Sequence, residues 1–207
     1  MILYGASGHA RVIRDIVEAQ DDRVSRLIDD NVEINVLDEL PVCHDLNVDE
    51  PVIVSIGNNA IRKKVVGKIG QGSSSSNAEL FGKAVHPSAI VSPSATIGEG
   101  TVIMQGAILQ AKSSIGKHCI VNTGASIDHE CRIDDYVHIS PHATLCGNVS
   151  VGEGTWIGAG TTVIQGVSIG RWCMIGAGSV VTKNIPDGYL AVGNRCKPIK
   201  CINKDML

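Results

Sequence analysis

The sequence is poor in aromatic residues and has no long hydrophobic run. Aromatic side chains make up 3% of the 207 residues, so we expect a core built mainly from aliphatic side chains. No apolar stretch approaches the ~20 residues that a membrane-spanning helix requires, which argues against membrane insertion. The formal net charge of −3 gives no basis for binding nucleic acid or an anionic membrane surface.

Signals for secretion and for disulfide bonding are also missing. The first residues, MILYGASGHAR, lack the basic region and the long apolar region of a secretory signal. The 7 cysteines are dispersed, odd in number and form no CxxC motif. This pattern argues against a disulfide framework or a zinc knuckle. We therefore expect reduced thiols in a cytoplasmic protein.

The second half of the chain, in contrast, carries aliphatic residues at strict six-residue intervals. Self-similarity at a fixed period is typical of a repeat fold. The residue two positions earlier is usually small, and glycine often follows the aliphatic residue. The aliphatic positions are Val85, Val91, Ile97, Ile103, Leu109, Ile115, Val121, Ile127, Ile133, Ile139, Leu145, Val151, Ile157, Val163, Ile169, Ile175 and Val181.

This pattern predicts a parallel β-helix. The small residue and the aliphatic residue lie two positions apart, so they share one face of a short strand. Three such strands close a triangular coil of 18 residues, and each aliphatic side chain stacks on the one 18 residues later. We expect about 5 to 6 stacked coils within residues 81–207, with an irregular tail or a short hairpin after Thr182.

Residues 1–80 are predicted to form a small α/β domain with a parallel, Rossmann-like sheet. Short strands at 2–4, 24–28 and 52–56 alternate with helical patterns, and Asn59 is the expected N-cap of the second helix. The stretch 70–77, rich in glycine and serine, is predicted to be a flexible loop. Ligands of such sheets bind at the carboxyl ends of the strands.

Three motifs follow these strand ends. The turn Gly5–His9 lies between a strand and a helix, where glycine allows close backbone approach and the helix N-terminus attracts phosphate. A structural strand-to-helix turn explains this motif equally well on its own. Asp29 and Asp30 after the next strand could hold ribose or sugar hydroxyls, and Gly57 follows the third strand. Together the motifs favour a nucleotide-phosphate or sugar site.

Two histidines of the repeat region are candidates for catalysis. The period places Ile127 inward, so His129 falls at the next corner, within Asp128-His129-Glu130. An exposed imidazole beside carboxylates suits a general base, although a solvated corner histidine is the plainer interpretation. His138 is predicted to point outward, half a coil away from His129. Within one chain the two should face different ways, so they could share a site only across a subunit interface.

A catalytic zinc site is the main metal alternative, since the γ-type carbonic anhydrases use this kind of coil. The candidates are His118, His129, His138 and His142, separated by 11, 9 and 4 residues. That family has two ligands five residues apart and a third well upstream. We therefore expect no metal.

The order of the motifs YGASGHA, IDD, SIGNNAIRKKV, the hexapeptides and NTGASIDHECRI resembles one family over nearly the whole chain. These are the bacterial sugar acyltransferases of the sialic-acid O-acetyltransferase and bacillosamine-pathway N-acetyltransferase type, within the hexapeptide-repeat superfamily. The resemblance implies a left-handed β-helix, a homotrimer and acetyl-CoA as the donor. It also implies that the N-terminal domain binds a nucleotide-linked sugar.

The same resemblance implies roles for individual residues. His129 would be the catalytic base and Glu130 its carboxylate partner. The residues implied to bind acetyl-CoA are His138 at the thioester, Gly147 through its backbone, and Ala159 and Ala177 along the groove. Those implied to bind the nucleotide sugar are Ser7, Gly8, His9, Asp29, Asp30 and Gly57. Near the end, Gly193–Lys197 departs from the family's small residue-Pro-Ala-Lys pattern, so contacts to the adenine of CoA are not implied.

These observations predict a cytoplasmic, acetyl-CoA-dependent N-acetyltransferase. Its expected acceptor is the amine of a nucleotide-linked amino-deoxy sugar, with UDP-4-amino-4,6-dideoxy-N-acetyl-hexosamine as the best guess. His129 would take the proton of the attacking amine, and no acyl-enzyme is needed. The alternatives are sugar O-acetylation, a non-catalytic sugar-nucleotide-binding scaffold and a carbonic-anhydrase-like metalloenzyme.

Overall fold

The structure, a computed structural model, describes residues 1–72 and 80–202. A small α/β domain comes first and packs on a three-sided parallel β-helix, which confirms the predicted fold class. Of the loop predicted at 70–77, residues 70–72 end a helix and the rest lie outside the described residues. Within those described ranges, no helix is both long and apolar enough to cross a membrane.

The α/β domain is a five-stranded sheet with two helices. Its elements are β1 (Ile2–Tyr4), α1 (Gly8–Ala19), β2 (Arg26–Ile28), β3 (Val36–Leu37), β4 (Leu40–Cys43), β5 (Val52–Val54) and α2 (Asn59–Gly72). The strand order is β3-β4-β2-β1-β5, and only β3 runs antiparallel to its neighbour. The chain leaves β1 toward β2 on one side and returns as β5 on the other, so the carboxyl ends of β1 and β5 flank the crevice in which ligands of such sheets bind.

The N-cap of α2 is one residue earlier than the sequence suggested. The side-chain oxygen of Asn58 accepts a hydrogen bond from the Ile61 backbone N–H at 2.8 Å, which is the N-cap geometry. Asn59 is buried, and its Nδ2 donates to the Gly154 carbonyl of the β-helix at 3.1 Å. The prediction that Asn59 caps the helix was therefore wrong, because this side chain joins the two domains.

The β-helix consists of short strands of two residues each. They are β6 (Ala84–Val85), β7 (Ile90–Val91), β8 (Thr96–Ile97), β9 (Val102–Ile103), β10 (Ile108–Leu109), β11 (Ser114–Ile115), β12 (Ile120–Val121), β13 (Ser126–Ile127), β14 (Arg132–Ile133), β15 (His138–Ile139), β16 (Thr144–Leu145), β17 (Ser150–Val151), β18 (Trp156–Ile157), β19 (Thr162–Val163), β20 (Ser168–Ile169), β21 (Met174–Ile175) and β22 (Val180–Val181). The predicted aliphatic position is the second residue of every one. A hairpin of β23 (Tyr189–Val192) and β24 (Lys197–Cys201) follows.

Every third strand belongs to the same side of the coil. We call these sides face one (β6, β9, β12, β15, β18, β21), face two (β7, β10, β13, β16, β19, β22) and face three (β8, β11, β14, β17, β20). Each strand pairs in parallel with the strand 18 residues later, as in the pair His138 and Trp156. From Ile103 onward the second strand residues are buried in one continuous core, so the predicted stacking is confirmed.

The α/β domain covers the first part of face one. The outward residues Ala84, Val102 and Ile120 are buried in a core shared with Leu3 and Ile13 of the domain. The next outward residues on this face, moving away from the domain, are His138, Trp156 and Met174. His138 thus lies where the covered part of the face ends.

Candidate functional site

His129 occupies an exposed corner between faces two and three. Ile127 before it is buried, and the Asp128 Oδ1 accepts a hydrogen bond from the His129 backbone N–H at 2.7 Å. The His129 Nδ1 lies 3.3 Å from the Glu130 Oε2, and 58% of the His129 side chain is exposed. Glu130 adopts a positive φ of 59°, which turns the chain into face three. The corner therefore presents the His129 imidazole to solvent, with the Glu130 carboxylate beside its Nδ1.

Gly147 lies one coil beyond His129 and packs against its ring. A Cβ at this position would come within 2.5 Å of the His129 Cε1 and 2.6 Å of its Nε2. Glycine is therefore required here for the imidazole to keep its place. Gly147 accompanies His129 at this corner, and the structure separates it from the other residues implied to bind acetyl-CoA.

His138 is held by two neighbours on face one. Its Nε2 lies 3.1 Å from the amide Nδ2 of Asn122, and its ring stacks on that of Trp156 with centroids 5.7 Å apart and planes 3° apart. The Trp156 Nε1 donates in turn to the Ser140 Oγ at 2.6 Å. A neutral ring that accepts the Asn122 N–H at Nε2 carries its own proton on Nδ1. That nitrogen is buried, and no acceptor among the described residues forms a well-placed hydrogen bond with it, although the Gly57 backbone lies near the ring.

Burial decides the charge of the histidines near the α/β domain. It lowers the pKa of His138 to about 3; the charges of Arg62 and His9 act in the same direction, and the Gly57 backbone opposes them. Burial likewise lowers the pKa of His9 to about 4, with Arg62 adding to the shift. Both rings are therefore neutral near pH 7, and His138 can donate a hydrogen bond but not act as a cation.

A groove of about 420 Å³ runs along the β-helix from His138. It forms because the corner after face one carries only small residues in two successive coils, Gly158–Gly160 and Gly176–Gly178. Among the residues that line it are His138, Ser140, Trp156, Ala159, Met174 and Ala177. Three of the four residues implied to bind acetyl-CoA therefore meet in one groove with mainly apolar walls.

The turn after β1 is shaped by glycine. Gly5 has a φ of 109°, and a Cβ there would come within 2.9 Å of Ile56. Ser7 and Gly8 are exposed at the start of α1, and the Ser7 side chain makes no capping hydrogen bond. A Cβ at Gly8 or at Gly57 would meet no atom within 4 Å. The space in front of both loops is therefore open, which would allow a ligand to approach the protein backbone closely.

The two aspartates after β2 already have partners within the domain. The Asp29 carboxylate accepts hydrogen bonds from the backbone N–H groups of Ala6 at 2.7 Å and Asn31 at 2.9 Å. The Asp30 Oδ1 accepts from the Tyr4 hydroxyl at 2.6 Å and from the Lys68 Nζ at 2.7 Å. The Lys68 bond is the main reason that the pKa of Asp30 is lowered. Asp29 thus shapes the turn after β1, while Asp30 lies at the exposed carboxyl-terminal edge of the sheet. We call this edge, formed by the loops after β1, β2 and β5, the rim.

The rim of the α/β domain and the groove meet at His138 in the same chain. His9 is close enough to His138 for its charge to affect the pKa of that ring, and the Gly57 backbone contacts it as well. His129 lies on the corner opposite face one and is directed away from both. One chain therefore brings together the rim and the groove, and leaves His129 apart.

Asn122, Trp156 and Arg62 were not identified from the sequence. The 18-residue period could have found Trp156, because it pairs residue 156 with His138, whereas Asn122 lies 16 residues before His138 and outside that register. Arg62 gave no such signal, since an arginine within a helix is usually exposed. No cluster of three or more potential metal ligands occurs in residues 1–72 and 80–202.

Comparisons with known proteins agree with this architecture. The family described as the PglD N-terminal domain matches residues 1–69, and the bacterial transferase hexapeptide family matches residues 148–183. The fold and the matched regions define a hexapeptide-repeat transferase with an added α/β domain.

Two groups of solved structures align with almost the whole chain. PerB, the perosamine N-acetyltransferase from Caulobacter crescentus, solved with CoA and GDP-perosamine, is 36% identical, with 96% of each chain covered and a TM-score of 0.88. The acetyltransferase domain of PglB from Neisseria gonorrhoeae is 34% identical, with 96% and 98% covered and a TM-score of 0.85. The chain belongs to this family of sugar N-acetyltransferases.

A curated relative matches a shorter part. The UDP-N-acetylbacillosamine N-acetyltransferase of Bacillus subtilis is 42% identical over 115 residues, which is 49% of this chain. The match spans 50% of that relative's length.

Proposed function

We propose that this chain transfers an acetyl group from acetyl-CoA to the amine of a nucleotide-linked amino-deoxy sugar, with UDP-4-amino-4,6-dideoxy-N-acetyl-hexosamine as the best guess. One observation carries the proposal. A mainly apolar groove ends at a neutral histidine, His138, beside the strand-end rim of an α/β domain in the same chain. PerB, which was solved with CoA and a nucleotide amino sugar, and the bacillosamine enzyme support it.

The groove suits the arm of acetyl-CoA that carries the thioester. Ala159 and Ala177 leave room for backbone contacts along its length, and Trp156 and Met174 supply apolar surface. At the inner end of the groove, His138 would contact the thioester. Its ring is neutral near pH 7, so it would act as a hydrogen-bonding group and not as a cation.

The rim suits the nucleotide sugar. The start of α1, with the exposed Ser7 and Gly8, would hold a phosphate through its backbone N–H groups and the positive end of the helix dipole. Gly57 on the neighbouring strand end leaves the opposite wall open. His9, Asp29 and Asp30 complete the rim proposed to bind the acceptor.

His129 would serve as the general base, oriented by Glu130. The amine nitrogen attacks the thioester carbon, and an N–C bond forms as the C–S bond breaks. The amine proton passes to His129, which then returns it to the sulfur of CoA. Because His129 faces away from the groove of its own chain, it would act on the groove of a neighbouring subunit in a homotrimer. A cysteine acyl-enzyme is unnecessary, since Cys131 lies inside the coil and burial raises the pKa of its thiol.

A thiol-release assay tests the proposal. Purified protein and acetyl-CoA would be combined with UDP-, GDP- and dTDP-linked 4-amino sugars, and with the matching 4-hydroxy sugars as controls. We expect release of CoA with at least one amino sugar and not with its hydroxy counterpart. Release with the hydroxy sugar would favour O-acetylation, and no release above background with any amino sugar would contradict the proposal. We place the reaction in the cytoplasm, which agrees with the seven free thiols.

A further inference from the structure

Arg62 is a fully buried arginine that connects the two domains. Its side chain is 1% exposed, and no carboxylate among the described residues pairs with it. The guanidinium group has five N–H donors, and each finds an oxygen. Nε donates to the His118 carbonyl at 2.8 Å, and Nη1 donates to the carbonyls of Ile56 at 2.9 Å and Gly57 at 3.1 Å. Nη2 donates to the Asn59 Oδ1 at 2.7 Å and to the Tyr136 carbonyl at 2.9 Å.

The acceptors on the β-helix form a row with the spacing of the coil. His118, Tyr136 and Gly154 occupy the same corner of three successive coils, 18 residues apart, and all three have positive φ angles. Arg62 binds the first two carbonyls, and Asn59 binds the third with its Nδ2. Two side chains of one helix turn therefore dock the α/β domain on the corner that precedes face one.

On the α/β domain, Arg62 binds the rim that is proposed to hold the acceptor sugar. The carbonyls of Ile56 and Gly57 belong to the loop after β5, which forms one wall of the crevice. The same guanidinium thus holds this loop and the coil that carries His138, whose strand begins two residues after Tyr136. Apolar residues could join two domains without the cost of removing a charge from water. An arginine bound only to carbonyls specifies a position more sharply than apolar packing would.

We propose that Arg62 is a positioning residue for acetyl transfer, because it fixes the Gly57 loop against the His138 end of the groove. This inference rests on the proposed function. If the loop is free to move, the acceptor amine loses its alignment with the thioester, although each substrate keeps its own contacts. The loss should therefore appear in kcat more than in the binding of either substrate.

The test compares Arg62→Lys with Lys63→Gln. Lys63 is the next residue of α2 and also reaches the β-helix, through Glu153 and the Tyr136 ring, but it does not touch the Gly57 loop. A lysine at position 62 keeps the charge and loses the planar fork that reaches both domains. Both variants would be assayed per folded subunit, well below their melting temperatures. Since a shift of about 1 Å can cost about a hundredfold, we expect Arg62→Lys to lower kcat at least about tenfold. Its Kd for acetyl-CoA should stay within about threefold of the wild-type value, and Lys63→Gln should resemble wild type.

A spectroscopic measurement accompanies the kinetics. In protein with labelled histidine, nitrogen NMR reports the protonation of His138 as the pH is lowered. In Arg62→Lys, the loosened loop should admit water, and the pKa of His138 should move toward its ordinary value; in Lys63→Gln it should not move. If the wild-type protein acetylates no sugar, the proposed function fails, whereas this titration still decides whether Arg62 controls the surroundings of His138.

Other results would overturn the inference. A kcat of Arg62→Lys per folded subunit no lower than that of Lys63→Gln, with an unchanged His138 titration, would show that Arg62 only joins the domains. If Arg62→Lys does not fold, Asn59→Ser replaces it, since this change frees one N–H of Arg62 and releases the Gly154 carbonyl. If neither variant folds, Arg62 is a folding residue and the proposal is withdrawn.

Discussion

His129 and His138 are placed in opposite surroundings. His129 is 58% exposed beside a carboxylate, whereas burial holds His138 in its neutral form. An exposed imidazole with an acidic neighbour can take up a proton and hand it on. A buried neutral imidazole at the end of the groove cannot act as a cation, and it suits a contact with the thioester. The surroundings therefore assign the two histidines different tasks in the proposed reaction.

Replacement of His129 by alanine tests its role as the base. We expect His129→Ala to lower kcat by about two to four decades, which is the usual contribution of a positioned general base. The fold should be kept, because the ring is exposed and contributes little to the core. Steady-state kinetics and circular dichroism would measure both properties. His86→Ala, in the first coil, is the control, and activity of His129→Ala within a few-fold of this control would exclude the role.

The positions of these two histidines could be predicted from the sequence, but only part of their surroundings could. The six-residue period places His129 at a corner and His138 outward, and both positions agree with the structure. The pairing of His138 with Trp156 follows from the 18-residue repeat of the coil, whereas its contact with Asn122, 16 residues earlier, does not. The five hydrogen bonds of Arg62 could not be predicted, because they depend on how the α/β domain packs against the β-helix.

At the scale of elements, the turn between β1 and α1 is the part proposed to recognise the acceptor. Gly8→Val should weaken binding of the nucleotide sugar and leave acetyl-CoA binding nearly unchanged. A Cβ at Gly8 meets no protein atom within 4 Å, so the added side chain occupies only the space expected for the ligand. Calorimetry with each substrate would measure both affinities.

A matched control for this experiment exists in the second helix. Gly67→Val adds the same side chain in α2, also with no atom within 4 Å of the Cβ, and away from the rim. It should change neither affinity. Should Gly8→Val weaken acetyl-CoA and spare the sugar, the assignment of the two substrates to the two elements would have to be reversed.

The hairpin of β3 and β4 escaped sequence prediction for a clear reason. Its two-residue turn is Asp38-Glu39, with φ angles of 47° and 71°. Turns of this conformation usually contain Asn-Gly or Asp-Gly, because glycine adopts positive φ without strain. With glutamate in the second position and Pro41 in the following strand, the stretch has no hairpin signature. The long hexapeptide pattern is far less ambiguous, since each coil repeats the same information.

At the scale of the whole molecule, His129 and His138 lie on opposite sides of one chain, so the proposed site requires two subunits. His129→Ala and His138→Ala proteins, each impaired alone, would be unfolded together and reassembled into mixed oligomers. If each site takes one histidine from each of two subunits, mixing should restore activity. Mass spectrometry would confirm the mixed assemblies. Their failure to regain activity, with both parents impaired, would show that the histidines do not act across an interface.

The junction between the domains should also make stability depend on pH. Burial lowers the pKa values of His9 and His118 to about 4 and that of His138 to about 3. The unfolded chain, with ordinary values near 6.5, binds more protons between these limits. Stability is therefore present above pH 6.5 and is lost as the pH falls toward 4, by up to about 1.4 kcal/mol per pH unit for each histidine.

Urea unfolding at several pH values measures this dependence. His118→Phe is the matched variant, because it keeps an aromatic ring between Phe81 and Tyr136 and removes the titrating group. It should reduce the slope between pH 6.5 and 4 by about one proton. An identical slope in the variant and the wild type would show that His118 is not neutralised by folding.

The carbonyls bound by Arg62 and Asn59 fix the α/β domain at defined coils of the β-helix. Neighbouring coils are about 4.8 Å apart, and the row shares its coils with His138 and Trp156. The separation of rim and groove along the helix axis can therefore change only in whole steps of this size. Coils added beyond the groove would leave this separation unchanged. A longer or shorter sugar would therefore be accommodated by the loops of the α/β domain, whose positions are not tied to the spacing of the coils.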